Sequence, residues 1–508
     1  MPRFSLLRVL IFVVLVSWYG EGFSASPPNI LWLSCEDISP HIRCYGDPLA
    51  TTPNIDRLAT QGIRYANAFA TAGVCAPCRS VIITGMYQTT LGTHHMRTIA
   101  KLPEFVQPFP TYLREAGYYC TNNVKEDYQF RTPKGTWDDS SRDAHWRNRP
   151  QPDQPFFAVF NYTGCHESGI REDRKYSEVT EGIEKHDRSK MPQTLPPYYP
   201  NTKVTREEWG RNYDVITAMD RWAGELLSQI EEDGLAENTI VFFWSDHGVG
   251  LPRAKRWLYD SGMRVPLIVR VPEKYQSLAT LPADSVSEQL VSLLDLGPTV
   301  LNLAGCEIPS YMQGQPFLGS NLPPQREYVY GARDRMDERY DIIRAVRDHQ
   351  FKYIRNYETW KPYYQYMNTA EKSRTMHEIR RLHARGELPP ASELFMADHK
   401  PAEELYDLAN DPHEINNLAS DPAYLDTLNT LRNAHLDWVR DTRDLGLIPE
   451  PELAKREQEL SSRYEILRDE DGEALAIRLR DTALLAAGET PQALPILQKR
   501  VKDPDAAG

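Results

Sequence analysis

Short runs of mostly apolar residues recur along the first part of the chain, and each has the length and character of a strand buried on both faces. They are residues 29–34, 118–124, 156–162, 239–244 and 265–271. Between the third and the fourth of these runs, residues 206–232 place apolar side chains on one face at helical spacing, and Gly234 ends the pattern. Alternating strands and helices predict an α/β fold with a large, mainly parallel sheet sandwiched by helices.

Two more helices are predicted in this part of the chain. Thr52 can cap a helix that begins at Pro53, and Gly62 stops it. Residues 286–303 have the character of a helix, and Pro298 inside it predicts a kink.

The pattern changes after residue 325, where short strand-like runs are separated by turns. These runs are residues 328–330, 342–346 and 351–354, and they predict a smaller antiparallel sheet. A helix is predicted over residues 424–442, and the chain that follows is helical and charged. The expected divisions are a main catalytic domain over residues 27–320, a C-terminal small-sheet subdomain over 321–450 and a helical tail over 451–508.

The N-terminus has the pattern of a secretory signal peptide. Arg3 and Arg8 supply positive charge, residues 9–18 are apolar, and small residues at 24–26 offer a cleavage site. An uncleaved membrane anchor is the alternative, but the apolar run is short for a membrane span. We expect residues 1–26 to be removed and the mature protein to be periplasmic or secreted, with no stable membrane span.

Composition and charge limit the classes of partner. The chain has 508 residues and a net charge of −13, which argues against a general nucleic-acid-binding protein. An anionic substrate would therefore have to be attracted locally, by a cluster of cations or a metal ion. The chain has 7 cysteines. An exported protein can form disulfides, but buried free thiols are an equal alternative, and the sequence does not give a pairing.

One stretch near residue 75 combines several chemical groups. Pro77 suits the first turn of a helix, so Cys75 would lie at a helix N-terminus, where backbone N–H groups favour anions. Arg79 adds a charge with a geometry suited to an oxyanion. Taken alone, Cys75 has ordinary alternatives, which are a reactive thiol, a structural cysteine or half of a disulfide.

Charged or histidine side chains closely follow four of the predicted strands. They are Glu36, Asp37, Lys125, His166, Asp246 and His247. Ligands bind beyond the carboxyl ends of strands in open α/β sheets, so these side chains are expected to meet beside Cys75. Carboxylate oxygens are the ligands that Ca²⁺ and Mg²⁺ prefer, and the imidazole nitrogen of His247 suits these ions less well. Singly, each residue has a structural alternative, such as a helix cap, a structural histidine or a turn.

The pattern Cys-x-Pro-x-Arg beginning at Cys75, followed by Thr-Gly at residues 84–85, resembles the signature of the type I sulfatases of the alkaline-phosphatase superfamily. The resemblance covers roughly residues 29–445. It implies that a formylglycine maturation enzyme oxidises Cys75 to formylglycine, an aldehyde whose hydrate is the nucleophile. Cys78 stands where the commonest form of the signature has serine, at a position that varies within the family.

The same resemblance implies roles for the other site residues. The residues implied to hold one Ca²⁺, or Mg²⁺, are Glu36, Asp37, Asp246 and His247, and the ion would also touch residue 75. The resemblance implies that the sulfate is bound by Arg79, Lys125 and Lys255. It also implies that His166 protonates the leaving group. A solvated surface charge is the alternative for each lysine.

Two positions depart from the family pattern. Glu36 replaces the commoner aspartate and is one methylene longer. Asp127 stands two residues after Lys125, where many members carry a histidine that contacts the formylglycine hydroxyl. His94 or His95 are the residues that could take that histidine's place.

Within the family, residues 197–202 and the following helix with Met219-Asp220 are most similar to the N-sulfoglucosamine sulfohydrolases, or heparan sulfamidases. The expected substrate is a sulfated sugar or glycosaminoglycan fragment, with an N-sulfated glucosamine end as the first hypothesis. Two alternatives remain open. One is a phosphoesterase of the wider superfamily, including phosphonate hydrolases that use formylglycine. The other is a non-catalytic protein that binds sulfated glycans.

Overall fold

The computed structural model describes residues 26–468, 470–487 and 493–500. The predicted signal peptide lies outside these residues except for Ser26, so its removal stays a prediction. Within the described ranges, no helix is both long enough and apolar enough to cross a membrane. All seven cysteines lie in the described part of the chain, and each is a free thiol.

A large nine-stranded sheet forms the centre of the molecule. Its strands, β1 to β9 in chain order, are Asn29–Cys35, Ile63–Phe69, Tyr119–Asn123, Asp139–Ser140, Phe156–Tyr162, Thr239–Ser245, Arg264–Val265, Leu267–Arg270 and Ser285–Ser292. They lie in the order β4-β3-β5-β1-β6-β8-β2-β7, and β9 also pairs with β2. The run from β4 to β6 is parallel throughout, whereas β7 and β8 are antiparallel to their neighbours. The predicted fold class is confirmed.

A second sheet, of four strands, follows in the chain. Its strands, β10 to β13, are Val329–Arg333, Ile343–Arg347, Phe351–Asn356 and Glu403–Asp407. Each strand is antiparallel to the next along the chain. The first three overlap the short runs predicted from the sequence, which confirms the smaller antiparallel sheet.

Helices cover both faces of the large sheet and form most of the chain after β13. In chain order, α1 to α15 are Pro53–Thr60, Cys75–Thr84, Gln88–Leu91, Pro110–Glu115, Glu167–Arg171, Asp173–Val179, Lys203–Glu232, Asp260–Met263, Leu296–Leu303, Arg374–His383, Pro390–Glu393, Leu425–Thr442, Glu450–Leu460, Glu470–Ala487 and Ala493–Arg500. The predicted helices over residues 206–232 and 424–442 correspond closely to α7 and α12.

The predicted helix over residues 286–303 is wrong in its first half. Residues 285–292 form β9, which pairs in parallel with β2, a strand that the sequence did not reveal. A short 3₁₀ turn at Leu293–Asp295 leads into the α-helix Leu296–Leu303, and Pro298 is the third residue of that helix. A proline in the first turn removes no helical hydrogen bond, so the expected kink is replaced by an ordinary helix start.

Strand pairing brings the polar ends of four strands to one edge of the large sheet. β3, β5, β1 and β6 are parallel neighbours, so their carboxyl ends share that edge. The last paired residue of β1, Cys35, lies beside Ser245 of β6 and Tyr162 of β5. The residues after each strand therefore leave the sheet next to one another.

Helix α2 is fixed over this edge by apolar packing. Its Ile82 and Ile83 belong to one buried cluster with Trp32 and Trp244, which project from β1 and β6. The two indole rings meet edge to face at 5.2 Å. All ten residues of α2 are buried, and Gly85 ends the helix in the left-handed conformation, at φ 65°. This accounts for the Thr-Gly at the end of the signature.

Candidate active site

A buried group of Asp37, Asp246 and His247 lies at the carboxyl edge of the sheet. One ligand atom from each lies within 4.8 Å of the others, and all three side chains are fully buried. Asp37 Oδ1 lies 3.1 Å from His247 Nε2. Among the described residues, neither of these two atoms has a hydrogen-bond partner.

The protonation of His247 follows from its other ring nitrogen. Nδ1 lies 2.9 Å from the carbonyl oxygen of Gly248, to which it donates. In the neutral ring, Nε2 then carries a lone pair that points toward a carboxylate oxygen. Two lone pairs repel unless a cation lies between them, so the donor set fits a bound metal ion.

Electrostatics keep Asp37 ionised within this group. Burial alone would raise its pKa, but its neighbours, with the charge of Lys255 as the largest opposing influence, hold the pKa of Asp37 well below its usual value. Asp37 Oδ2 also accepts a hydrogen bond of 2.7 Å from the backbone N–H of Glu167. Its second oxygen is therefore held by the protein while Oδ1 faces His247.

Glu36 lies beside this group and faces two cations. Its Oε1 forms an ion pair with Lys125 Nζ and lies 4.0 Å from a terminal nitrogen of Arg79. The metal-compatible group of three does not include it. Glu36 is one methylene longer than the aspartate that is commoner at this position, and its carboxylate reaches the lysine.

Cys75 is the first residue of α2 and is only 4% exposed. Burial raises the pKa of its thiol, although Lys255 and Lys125 act in the opposite direction. It belongs to a small apolar cluster with Val74, Met96 and Met336. The thiol therefore lies in a dry position at a helix N-terminus, with cations close by.

Arg79 is held by two neighbours across the strand ends. Its Nε lies 3.0 Å from Asp246 Oδ2, and one terminal nitrogen donates at 3.0 Å to Asn161 Oδ1. The Ser34 hydroxyl donates to the same amide oxygen at 2.7 Å. Burial would lower the pKa of Arg79, but Asp246 and Glu36 raise it on balance, so the guanidinium stays charged.

Lys255 lies on the loop after β6 and reaches back to the metal-compatible group. Its Nζ lies 2.7 Å from Asp37 Oδ2 and 3.6 Å from Glu167 Oε1, and the side chain is 2% exposed. Burial opposes its charge, but Asp37 and Glu167 raise its pKa on balance. A solvated surface position, the alternative considered for this lysine, is wrong.

The loop that carries Lys255 is fixed by Arg253. The Arg253 guanidinium lies 4.3 Å from the ring centre of Tyr198 and 3.9 Å from that of Tyr259. It also donates at 2.6 Å to the carbonyl oxygen of Glu414. The Pro-Tyr-Tyr-Pro stretch around Tyr198 therefore supports the lysine loop from behind.

His166 caps helix α5, and its ring orientation is fixed. Ser168 holds Nδ1 through its backbone N–H at 3.3 Å and its hydroxyl at 2.8 Å. Lys175 donates to that hydroxyl oxygen at 2.8 Å, so the hydroxyl proton points to Nδ1. The neutral ring then carries its proton on Nε2. Burial lowers the pKa of His166, with Lys255 acting in the same direction.

Asp127 itself lies beside Lys125, at the position where many members of the family carry a histidine. Asp127 Oδ2 lies 3.7 Å from Lys125 Nζ. His95 instead accepts at Nδ1 from the backbone N–H of Arg335, at 3.3 Å, and packs against Tyr340. The His94 ring packs at a tilt against that of His95, with 4.2 Å between the ring centres. The ring of His95 therefore faces the C-terminal part of the chain, and the ring of His94 packs on it.

Sequence reasoning missed Asn161 and Glu167. Asn161 lies inside a predicted strand, where a polar residue near the end of an otherwise apolar run was the only signal. Glu167 directly follows His166, and its carboxylate forms a buried pair with Arg256 at 2.9 Å. Both residues support site residues, since one holds Arg79 and the other lies beside Lys255.

Comparison with known proteins identifies the family. The profile of the family described as "Sulfatase" matches residues 28–122 and 119–306. A second profile, "N-sulphoglucosamine sulphohydrolase, C-terminal", matches residues 252–384. The chain belongs to the sulfatase family. Its members hydrolyse sulfuric esters and use a metal ion and formylglycine, as the Cys75 pattern indicated.

Two curated relatives extend over most of this sulfatase. An "Ulvan-active sulfatase" of Formosa agariphila is 41% identical over 89% of this chain and 84% of its own length. The human "N-sulphoglucosamine sulphohydrolase" is 26% identical over 83% of this chain and 91% of its own. The predicted family and enzyme class are confirmed, and the phosphoesterase and non-catalytic alternatives are not favoured.

Solved structures share the fold. One, described as in complex with its substrate D-glucosamine-2-N,6-O-disulfate, superposes with a TM-score of 0.59 and is 19% identical. It covers 82% of this chain and 99% of that one. At this identity the likeness supports the alkaline-phosphatase-like architecture of the sulfatase and no finer property.

Proposed function

We propose that this sulfatase removes sulfate groups from a sulfated polysaccharide outside the cytoplasm, with residue 75 as its nucleophile. The observation that carries the proposal is the position of Cys75. It is buried at the N-terminus of α2, with Arg79 one turn along the same helix and Lys125 and Lys255 nearby. Three cations around one anion-favouring helix end suit the negatively charged oxygens of a sulfate group at transfer.

The nucleophile requires a modification by a separate maturation enzyme. Once Cys75 has been oxidised to formylglycine, the hydrate of its aldehyde supplies a hydroxyl nucleophile where the thiol now lies. The protein's own contribution is to bury residue 75 and to keep Arg79 and the two lysines charged beside it.

Asp37, Asp246 and His247 are the residues we propose as protein ligands of one Ca²⁺ or Mg²⁺, with Glu36 and residue 75 beside it. The carboxylates make the donor set hard, and the unpartnered Asp37 Oδ1 and His247 Nε2 offer it two ligand atoms. When bound, the cation would supply positive charge next to residue 75.

Arg79, Lys125 and Lys255 are proposed to bind the sulfate oxygens, and His166 to act on the leaving group. Salt bridges on the protein side fix the three cations, so they lose little freedom when they bind the anion. His166 carries its proton on Nε2, which would donate to the leaving oxygen or nitrogen. Ser168 holds the ring in the orientation this requires.

The metal proposal predicts different effects from two substitutions at one position. His247→Ala should lower the bound Ca²⁺ or Mg²⁺ severely, since it deletes a ligand, and activity should fall with it by at least about tenfold. His247→Gln should retain much of both, because its amide oxygen is a hard ligand that lies about as far along the side chain as Nε2 of histidine. Elemental analysis of the purified proteins measures the occupancy.

A matched control for the metal experiment is Asp220→Asn. Asp220 is buried, but it accepts a hydrogen bond of 2.8 Å from the backbone N–H of Ile55 at the start of α1 and does not belong to the metal-compatible group. This variant should keep its metal content. Two zinc ions per wild-type chain would contradict the proposal and favour the phosphoesterase alternative.

The proposed substrate is an ulvan-type sulfated polysaccharide, by similarity to the 41% identical relative. An N-sulfated glucosamine is the second candidate, because a family profile described by that activity matches residues 252–384. The two candidates differ in the atom that carries the sulfate, an oxygen or a nitrogen.

A substrate panel tests the proposed function. We expect sulfate release from ulvan oligosaccharides, and none from N-, 2-O- and 6-O-sulfated glucosamine or uronate disaccharides. Ion chromatography of released sulfate measures both. Release only from the N-sulfated member would replace the first candidate with the second. Failure on every member, with formylglycine confirmed at residue 75, would contradict both.

The division of the chain and its location complete the proposal. We propose a catalytic domain over residues 27–320, a small-sheet subdomain over 321–450 and a tail over 451–508. Cleavage of residues 1–26 during export would leave the mature protein periplasmic or secreted. N-terminal sequencing of the natural protein would test the cleavage directly.

A further inference from the structure

A groove of about 860 Å³ is formed by residues outside the catalytic site. Three segments form its walls, which are residues 99–105, residues 130–133 and part of the tail at residues 461–465. We call it the tail groove. Its size falls in the range of about 300–1,000 Å³ that is usual for ligand sites in proteins.

Large apolar side chains line the tail groove and are exposed. Ile99 is 67% exposed and Phe105 is 46% exposed. The Phe105 ring packs edge-on against Tyr311 at 5.7 Å and Tyr464 at 5.3 Å, which fixes its orientation. A rigid exposed aromatic ring offers a flat apolar face, and such a face suits the C–H face of a sugar ring.

The groove is preformed, because hydrogen bonds join its walls. The backbone N–H of Ala100 donates to the carbonyl oxygen of Gln129 at 2.9 Å. The backbone N–H of Lys101 donates to Glu457 Oε1 at 2.8 Å, and Arg463 of the tail donates to the carbonyl oxygen of Gly92, also at 2.8 Å. A ligand would therefore meet a surface that needs little ordering.

Two walls of the tail groove continue directly from the catalytic site. Residues 130–133 follow the segment that carries Lys125, and Phe130 stacks on Tyr128 at 5.9 Å. Residues 99–105 follow Met96, which belongs to the apolar cluster around Cys75. A chain bound with one sulfate at residue 75 would reach the groove with its neighbouring units.

Polar groups of both signs line the groove. They are Lys101, Glu104, Arg131 and Glu465. Within the described ranges, none of these four side chains forms an ion pair or a hydrogen bond. Cations of this kind can bind sulfate or carboxylate groups, and carboxylates can accept hydrogen bonds from sugar hydroxyls. The combination with Phe105 suits an anionic polysaccharide better than a purely apolar peptide.

We propose that the tail groove binds the sugars next to the cleaved sulfate, so that this sulfatase prefers oligosaccharides to single sulfated sugars. The inference rests on the proposed function and adds a binding site to it. The third wall comes from residues 461–465, which lie beyond the matches to both family profiles. The length preference would therefore be a property of this chain and of relatives that share its tail.

Kinetics on substrates of different length test the proposal. Wild-type kcat/KM should rise from ulvan disaccharides to hexasaccharides. Phe105→Ala and Arg131→Ala should each lower kcat/KM on hexasaccharides by about tenfold, as expected when one anchoring side chain of a binding site is removed. Both should leave the hydrolysis of 4-nitrophenyl sulfate unchanged, because that substrate reaches only the sulfate site.

Arg57→Ala is the matched control for the charge change. Arg57 lies on α1 and pairs at 3.7 Å with Glu231 of α7, and neither residue lines the groove. This variant should retain the length preference. Equal wild-type kcat/KM for all lengths, or an equal loss on 4-nitrophenyl sulfate in the Phe105→Ala variant, would overturn the proposal.

A binding measurement separates the groove from the catalytic proposal. Calorimetry with the Cys75→Ala variant should show that hexasaccharides bind more tightly than disaccharides. In the double variant with Phe105→Ala, the affinity for hexasaccharides should be about tenfold lower. This readout needs no turnover. If no substrate is hydrolysed but the difference in affinity is found, the proposed substrate reaction fails and the groove stands. If the affinities are equal, the groove fails.

Discussion

Cys75→Ala is expected to abolish sulfate release from every substrate. The side chain is the precursor of the nucleophile, and loss of a catalytic nucleophile costs on the order of 10⁶-fold in kcat in hydrolases that have been dissected this way. The neighbouring Arg79, Lys125 and Lys255 cannot replace it, because these side chains carry no nucleophilic oxygen. The measurement is sulfate released over hours, together with mass analysis of the peptide that carries residue 75.

Cys78→Ser is the matched control for this substitution. Cys78 lies on the same helix and is equally buried, so both variants test a small change in the same core. Serine is also the commonest residue at this position of the signature. Cys78→Ser should retain activity and formylglycine at residue 75. Near wild-type activity in Cys75→Ala, or an unmodified Cys75 in active enzyme, would contradict the mechanism.

The central strands could be predicted because both of their faces are buried. The run from Asn29 to Cys35 has no exposed position, so its residues read as a continuous apolar stretch. The strand from Phe156 to Tyr162 was predicted at its observed bounds for the same reason. Burial on both faces leaves a pattern that no surface helix of similar length would show.

Strands β2 and β9 could not be predicted, because their pairing is non-local. Ser285–Ser292 contains polar residues at positions that a helix would also tolerate, and only its parallel register with Ile63–Phe69 makes it a strand. Those two segments are more than two hundred positions apart. Sequence periodicity does not report a partner at that distance, so tertiary context decided the structure.

The site was predictable where strand ends determine position. Asp37 and Asp246 follow two adjacent parallel strands, and the general rule for α/β sheets brings them together. The partner of each side chain was not predictable. Glu36 reaches Lys125, and Lys255 reaches Asp37, through rotamers and loop paths that depend on the whole fold.

The two lysines differ in how the protein uses their charge. Lys255 is 2% exposed and pairs with Asp37 and Glu167, which are both buried. Lys125 is 20% exposed, and its partner Glu36 also lies 4.0 Å from Arg79. Removing Lys255 therefore leaves buried carboxylates with less compensation, whereas removing Lys125 leaves Glu36 near another cation.

Lys125→Ala and Lys255→Ala are each expected to lower kcat by about a hundredfold, and only the second should also lower stability. Loss of one charge-assisted contact to the transition state costs roughly 2–4 kcal/mol. Breaking a buried ion pair by removing one partner costs about 3–5 kcal/mol of folding stability, so Lys255→Ala should melt at a lower temperature. Steady-state kinetics and thermal unfolding measure the two effects separately.

An exposed lysine outside the site serves as the control for both lysine variants. Lys274→Ala removes an exposed lysine whose Nζ contacts Asn238 Oδ1 at 2.6 Å, and it should change neither kcat nor melting temperature. If a lysine binds the sulfate only in the ground state, its substitution raises KM and leaves kcat unchanged. That result at Lys125 would remove it from the transition state. Equal stability of the two variants would show that groups other than Lys255 neutralise Asp37 and Glu167. A metal ion bound at Asp37 is the first such group to examine.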